Sequence, residues 1–256
     1  FQFTHPVPVE AEIGRYYETP DYISHSDTHK GLMNRVYHWV RRVMLARKAR
    51  LVKHNSRLSQ GSLLDIGTGT GYFPHFMQER GWHISAIEKS PQARQFAKEH
   101  FELDVAAPEA LNEFADKSFD VITLWHVMEH LEHLNETWET LKRILKDQGI
   151  LIIAVPNPTS FDAEKYKEMW GAYDVPRHLW HFSPSVMQQF GAKHDFILCE
   201  RHPMPFDAFY VSMLSEKYRK SAFPFIKGLI TGAEAWIVSL AKKDRSSSMI
   251  YVFRKK

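Results

Sequence analysis

Gly67-Thr68-Gly69-Thr70-Gly71 follows a short apolar segment at 62–66, and Glu88 closes the next apolar segment about 20 residues on. Glycines let a backbone turn sharply and approach a ligand closely. Open amides where a helix begins favour an anionic group. A carboxylate ending the following strand can accept hydrogen bonds from both hydroxyls of a ribose. Together these residues predict a nucleoside-containing cofactor. Two common nucleotide motifs do not match: a dinucleotide fingerprint wants glycine at position 72, which is Tyr, and no Gly-Lys-Ser/Thr follows as a P-loop requires.

Histidine is frequent, at 15 residues, and it titrates near neutral pH, which suits proton transfer. His126, His130 and His133 follow the apolar segment 119–125, and His178 and His181 lie in DVPRHLWHFSP at 174–184. Both groups fall after strands, at the sheet edge where open α/β folds bind ligands. The competing reading of each is a packed, hydrogen-bonded structural imidazole. Glu129, His130 and His133 partly share a helix face, but the zinc-protease order His-Glu-x-x-His is absent and no metal is expected. Arg177 can clamp an acceptor carboxylate with its planar fork, or pair with Asp174. Asn157-Pro158 after the fifth apolar segment reads as a turn.

The elements that must position these residues form a regular pattern. Apolar runs at 62–66, 83–88, 119–125 and 149–156 alternate with helix-like stretches near 72–80, 91–100, 108–116 and 134–146. Short apolar strands separated by helices predict a parallel sheet covered on both faces. Runs at 195–200 and 248–255 extend that sheet, and 203–246, rich in Met, Phe, Tyr and Ile, reads as an inserted helical pair. The fold class is α/β, doubly wound. Upstream, residues 1–30 read as an irregular arm and Leu32 to about His54 as a helix. The expected division is an N-terminal arm and helix at 1–59 and a main domain at 60–256.

LLDIGTGTGYF resembles the first motif of the Rossmann-like, or class I, S-adenosylmethionine-dependent methyltransferases. FDVITLWHVMEHL and LKDQGILIIAVPNP are similar to that family's fourth and fifth strands, and the likeness covers roughly 60–160. DVPRHLWHFSP narrows it to the branch that includes the ubiquinone-biosynthesis O-methyltransferases. The resemblance implies a mostly parallel seven-stranded sheet with its last strand antiparallel. It implies S-adenosylmethionine as cofactor, with Asp65, Gly67, Thr68, Gly69 and Gly71 around its methionine part, Glu88 on the ribose, Lys89 against the adenine and Asp104 as an adenine acid. His126 would lie near the sulfonium, His178 or His181 would act as acceptor-side base or anchor, and Asn157, Tyr173 and Arg177 would face the acceptor. Tyr16, Tyr17 and Tyr22 with Ile23-Ser24-His25 would form a lid or, equally, an arm packed on the sheet edge, and 203–246 a roof for an aromatic, polyketide-like or lipid-linked acceptor or, equally, a dimer interface. The implied activity is methyl transfer to a small molecule, at oxygen.

Composition limits the alternatives. The chain has 256 residues, 44% hydrophobic and 25% charged, the profile of a globular protein. A net charge of +3 is too weak to argue for nucleic acid. A single cysteine, Cys199, excludes a disulfide framework and a cysteine-built metal site; within a strand it is expected in the core. Seven Lys and Arg between 41 and 57 keep RNA methylation as a second reading. No DNA partner is expected: the Asn-Pro-Pro signature of amino-nitrogen methyltransferases belongs after the fourth strand and is replaced there by Trp125-His126, which counts against DNA adenine and glutamine substrates. A cofactor-binding scaffold without turnover is the third. No signal peptide or spanning helix is visible, so a cytoplasmic monomer or homodimer is expected. The chain opens on Phe1, and an upstream segment is expected to have been removed.

Overall fold

The structure, a computed structural model, describes residues 1–8, 16 and 32–256, the side chains of 32–37 excepted. In chain order its elements are β1 (Gln2–Phe3), α1 (Leu32–Ser56), β2 (Ser62–Ile66), α2 (Tyr72–Gln78), β3 (His83–Ile87), α3 (Pro91–Phe101), β4 (Phe119–Trp125), α4 (Leu134–Ile144), β5 (Leu145–Pro156), α5 (Phe161–Tyr166), β6 (Trp180–His181), α6 (Pro184–Lys193), β7 (Phe196–Pro203), α7 (Asp207–Tyr218), α8 (Pro224–Ala241) and β8 (Ser248–Lys255). Most of the expected lid, Tyr17 and Tyr22 with Ile23-Ser24-His25, lies outside the described residues.

The chain divides into two compact units, one of 9–124 and 139–152, the other of 1–8, 125–138 and 153–256. In the first, β2 lies between β3 and β4, parallel to both, with Ile66 opposite Ile87 on one side and Leu124 on the other. The N-terminal helix α1 belongs to this unit. Two of its basic residues pack inward: the Arg41 guanidinium lies 4.0 Å from the Tyr72 ring centroid and Lys48 Nζ lies 5.6 Å from that of Phe73. Arg42, Arg47, Arg50 and Lys53 stay exposed.

In the second unit β7 and β8 pair antiparallel, and the whole strand order is β3-β2-β4-β5-β8-β7, with β5 contributing to both units. From Ile150 to Val155 every side chain of β5 is fully buried. Burying each large apolar side chain there contributes ~1.5–3 kcal/mol, and this explains the unbroken apolar run.

The expected mostly parallel sheet is present, and among the described residues it has six full strands. The seventh place, beside β3, is a single parallel bridge between Ile87 and Ala106. Ala106 donates to the Ala86 carbonyl and accepts from the Glu88 amide, and the pairing stops there. Pro108, which has no amide hydrogen, opens a 3-10 turn two residues on. A separate two-stranded ribbon pairs β1 antiparallel with β6, so the start of the expected irregular arm is a strand. Phe1 packs its ring against Trp180, Phe182 and Phe190.

Cys199, expected in the core, needs a correction. It is exposed, on the same face of β7 as the exposed Ile197 and Arg201, because successive side chains of a strand alternate between its two faces.

Candidate functional site

The glycine loop is built by β2 and clamped by β3. Gly67 and Thr68 both donate to the Ile87 carbonyl, at 2.8 and 3.0 Å. Gly71 caps α2 with φ +85, and a Cβ there would meet Ala97 Cβ at 2.9 Å, so both conformation and space demand glycine. Gly69, at φ +56, has nothing within 4 Å of where a Cβ would stand, and the loop's rim opens there. Glu88 is buried and ties two loops together. Its Oε2 accepts the Gly69 amide and its Oε1 the Ser90 amide, each at 2.8 Å.

Asp65 is buried at the loop's base, with Thr123 donating to its Oδ1 at 2.5 Å. Burial pushes its pKa up to about 6, against the hydrogen bonds from Thr123 and Thr68 and the charge of Lys48. The two residues expected at the adenine lie at the surface. Lys89 is exposed, and Asp104 points to solvent, paired with Lys98 at 2.5 Å.

In the second unit the turn after β4 gathers histidines and acids. His126 takes a positive φ of 60° and donates its amide to the Ala154 carbonyl. Its ring stands between two carboxylates, Nε2 3.0 Å from Asp207 and Nδ1 3.4 Å from Glu129. Burial would lower the imidazole's pKa, but the hydrogen bonds and charges of Asp207 and Glu129 raise it to about 10. His126 is therefore an imidazolium at neutral pH and has no lone pair to offer as a base.

Leu179 donates to the Glu129 carbonyl and Trp180 Nε1 to the Leu131 carbonyl, stitching the 174–184 segment to the same turn. His130 and His178 meet edge to face, centroids 4.5 Å apart. His130 Nδ1 lies 3.0 Å from the Arg177 carbonyl and His178 Nδ1 2.8 Å from that of Ala172. A carbonyl only accepts, so each ring carries a proton on Nδ1, and His178 Nε2 lies 3.7 Å from Asp174 Oδ2. Burial pushes the His178 pKa down to about 4, opposed by Glu129 and Asp174. Burial lowers that of His181 as well; its Nε2 is 3.4 Å from Thr4 Oγ1 and its ring packs on Tyr173.

Glu129 is 1% exposed, and its Oε1 faces His126 Nδ1 at 3.4 Å. Donor atoms of Glu129, His130 and His178 all lie within 4.8 Å of one another, and two imidazoles oriented by carbonyls beside a carboxylate have the chemistry to hold a divalent cation. No metal was expected, and the run considered, Glu129-His130-His133, is not the one assembled: His133 is exposed and pairs with Glu136.

The expected acceptor contacts are mostly occupied. Arg177 bonds to Asp174 at 2.6 Å. Asn157 is fully buried; its Nδ2 donates to the carbonyls of Asp244 and Ser246, and its Oδ1 accepts from the Thr159 amide and hydroxyl. It is a structural latch with no polar atom left for a substrate. Tyr173 is half-buried, its ring against Trp170 and His181. Asp207, which the sequence did not single out, opens the inserted hairpin, and no local motif marks it as the partner of His126.

A family described as "Methyltransferase domain" matches residues 36–199, well over half the chain. An uncharacterized methyltransferase of Staphylococcus carnosus is 32% identical over 112 residues, 43% of this chain and 53% of that protein. The mitochondrial ubiquinone biosynthesis O-methyltransferase of Schizosaccharomyces pombe is 26% identical over 134 residues, 49% of each chain. The chain thus spans about half the length of these curated relatives. Among solved structures, geranyl diphosphate C-methyltransferase from Streptomyces coelicolor superimposes with TM-score 0.57 at 14% identity, covering 90% of this chain and 88% of that one, a likeness of fold.

Proposed function

The chain belongs to the methyltransferase-domain family and depends on S-adenosylmethionine, and from that premise we propose that it methylates an oxygen atom of a small-molecule acceptor. When bound, S-adenosylmethionine supplies a methyl group activated on a sulfonium.

The residues of the glycine loop fit that cofactor. The Asp65 carboxylate offers a negative partner to its ammonium group, and Glu88 offers acceptor oxygens to its ribose. The open rim at Gly69 leaves backbone exposed to a ligand. The observation that carries the reading is the Glu88 carboxylate seated on the Gly69 amide, because it joins the acid and the loop into one cradle.

An acceptor hydroxyl must lose its proton as the methyl arrives. Burial keeps His178 and His181 neutral at pH 7, so each holds the lone pair a base requires. His178 or His181 is assigned to the acceptor, and His126, carrying a fixed positive charge, serves as an anchor. The oxygen preference is supported by the ubiquinone-biosynthesis relatives.

Calorimetry with S-adenosylhomocysteine tests the cradle: binding is expected, weakened at least ~10-fold by Glu88→Ala. Labelled S-adenosylmethionine offered to phenols, amines and carboxylic acids tests the acceptor. Product only at nitrogen overturns the oxygen reading. Product in RNA supports the second reading, and binding without turnover the scaffold.

A further inference from the structure

The hairpin α7–α8 is packed inside out. A helix of a globular protein buries its large apolar stripe and exposes its polar face. Here α8 buries Gly228, Thr231, Gly232, Ala235 and Ser239. The two backbones nearly touch: a Cβ on Gly228 would meet Met213 Cα at 2.6 Å, and one on Gly232 would meet Phe209 Cα at 2.7 Å. Small residues permit this approach, and the large ones are left outside. Ile226, Ile230, Ile237 and Leu240, at helical spacing, are 56%, 56%, 63% and 68% exposed, and Phe223 at the helix's start is 64% exposed. Continuous apolar surface of this kind marks a contact.

Charge identifies what covers it. Exposed Lys217, Arg219, Lys220 and Lys227 stand at one end of the stripe, and Lys242 and Lys243 at the other. No acid lies on the stripe; the sole acid of α8, Glu234, pairs with Lys165. A two-fold contact between copies would set this surface against itself and bring lysine toward lysine. An anionic bilayer matches both features, with cations among the headgroups and Ile, Leu and Phe side chains at the acyl boundary. At 18 residues α8 is ~27 Å long and carries Lys227 and Glu234, so it lies along the surface and does not cross. Among the described residues no helix is long and apolar enough to span a membrane.

We propose that the α7–α8 face docks on membranes rich in acidic phospholipid, with α8 parallel to the surface. This inference stands apart from the identity of the acceptor. The test is co-sedimentation of the full chain with vesicles of phosphatidylcholine alone or with about a third phosphatidylglycerol. Binding to the acidic vesicles is expected to be at least ~10-fold stronger and to weaken with salt. Ile230→Glu with Ile237→Glu is expected to lose at least ~10-fold, with circular dichroism and S-adenosylhomocysteine binding unchanged. The gentler pair Ile226→Ser and Leu240→Ser moves the same way. Lys220→Glu with Lys243→Glu removes the preference for acidic lipid. The proposal fails if wild type does not bind acidic vesicles, or if folded apolar variants bind like wild type. It also fails if light scattering shows a wild-type dimer that Ile230→Glu with Ile237→Glu dissociates.

Discussion

His126 Nε2 lies 3.0 Å from Asp207 Oδ2, linking the turn after β4 to the first residue of the inserted hairpin. With Glu129 on its other nitrogen, the ring's pKa rises from 6.5 to about 10 despite the opposing effect of burial. A raised folded-state pKa stabilises fully below pH 6.5, and that contribution is lost as pH climbs through about 10. Asp207→Asn is expected to cost ~2 kcal/mol at pH 7, discounted because the ring is partly open to solvent. Urea unfolding across that window measures this. The variant's stability should fall less steeply with pH than the wild type's; identical slopes would show that Asp207 does not hold the charge.

Asp65 runs the other way for stability and function. Burial raises its pKa from 3.8 to about 6, so ionising it costs the fold. By the same linkage, its favourable contribution is complete below pH 3.8 and gone once pH has risen through 6, leaving a deficit of up to ~3 kcal/mol at pH 7. Asp65→Asn keeps an acceptor for Thr123 and removes the buried charge. Thermal melts at pH 7 should therefore show a more stable protein, with little change at pH 4, and calorimetry should show cofactor binding weakened at least ~10-fold. A lower melting temperature at pH 7 would contradict the assignment.

The sequence was legible wherever the constraint was local. β2, β4 and β8 occupy the expected 62–66, 119–125 and 248–255, because their apolar runs and flanking breaks lie within a few residues. The glycine loop was legible because Gly71 answers to its own φ and to a neighbour only one helix away. β5 starts at Leu145, earlier than the expected 149, because Lys146, Asp147 and Gln148 sit half-buried or exposed and break the apolar pattern. What stayed hidden depends on distant partners. Nothing near Asp207 announces His126, and nothing near Cys199 announces the β7–β8 register shift between Leu198 and Glu200. The hairpin's apolar residues announce a helical pair but not that its buried face goes to small residues such as Gly228 and Gly232.

Asn157 separates a latch from a ligand. Both amide protons and both acceptor positions are already engaged, two of them with carbonyls of the segment leading into β8. Asn157→Ala removes the partner of the buried Ser246 carbonyl and of the part-buried Asp244 carbonyl and is expected to cost ~2–4 kcal/mol. Below the variant's melting temperature, KM for any acceptor should match wild type. A raised KM without loss of stability would return Asn157 to the acceptor site.

His178 gives the acid side of the stability profile. Burial lowers its pKa from 6.5 to about 4, with Glu129 and Asp174 opposing. A depressed folded-state pKa contributes stability above pH 6.5 that is lost as pH falls through about 4, worth up to ~3 kcal/mol. His178→Asn preserves a donor toward the Ala172 carbonyl and removes the titration, so the variant should unfold at lower pH than wild type. The same substitution tests the chemistry. If His178 accepts the acceptor's proton through Nε2, which lies 3.7 Å from Asp174 Oδ2, single-turnover methylation should fall at least ~100-fold while cofactor affinity holds. If the rate is unchanged while the acid midpoint moves, His178 is a structural imidazole and His181 carries the role alone.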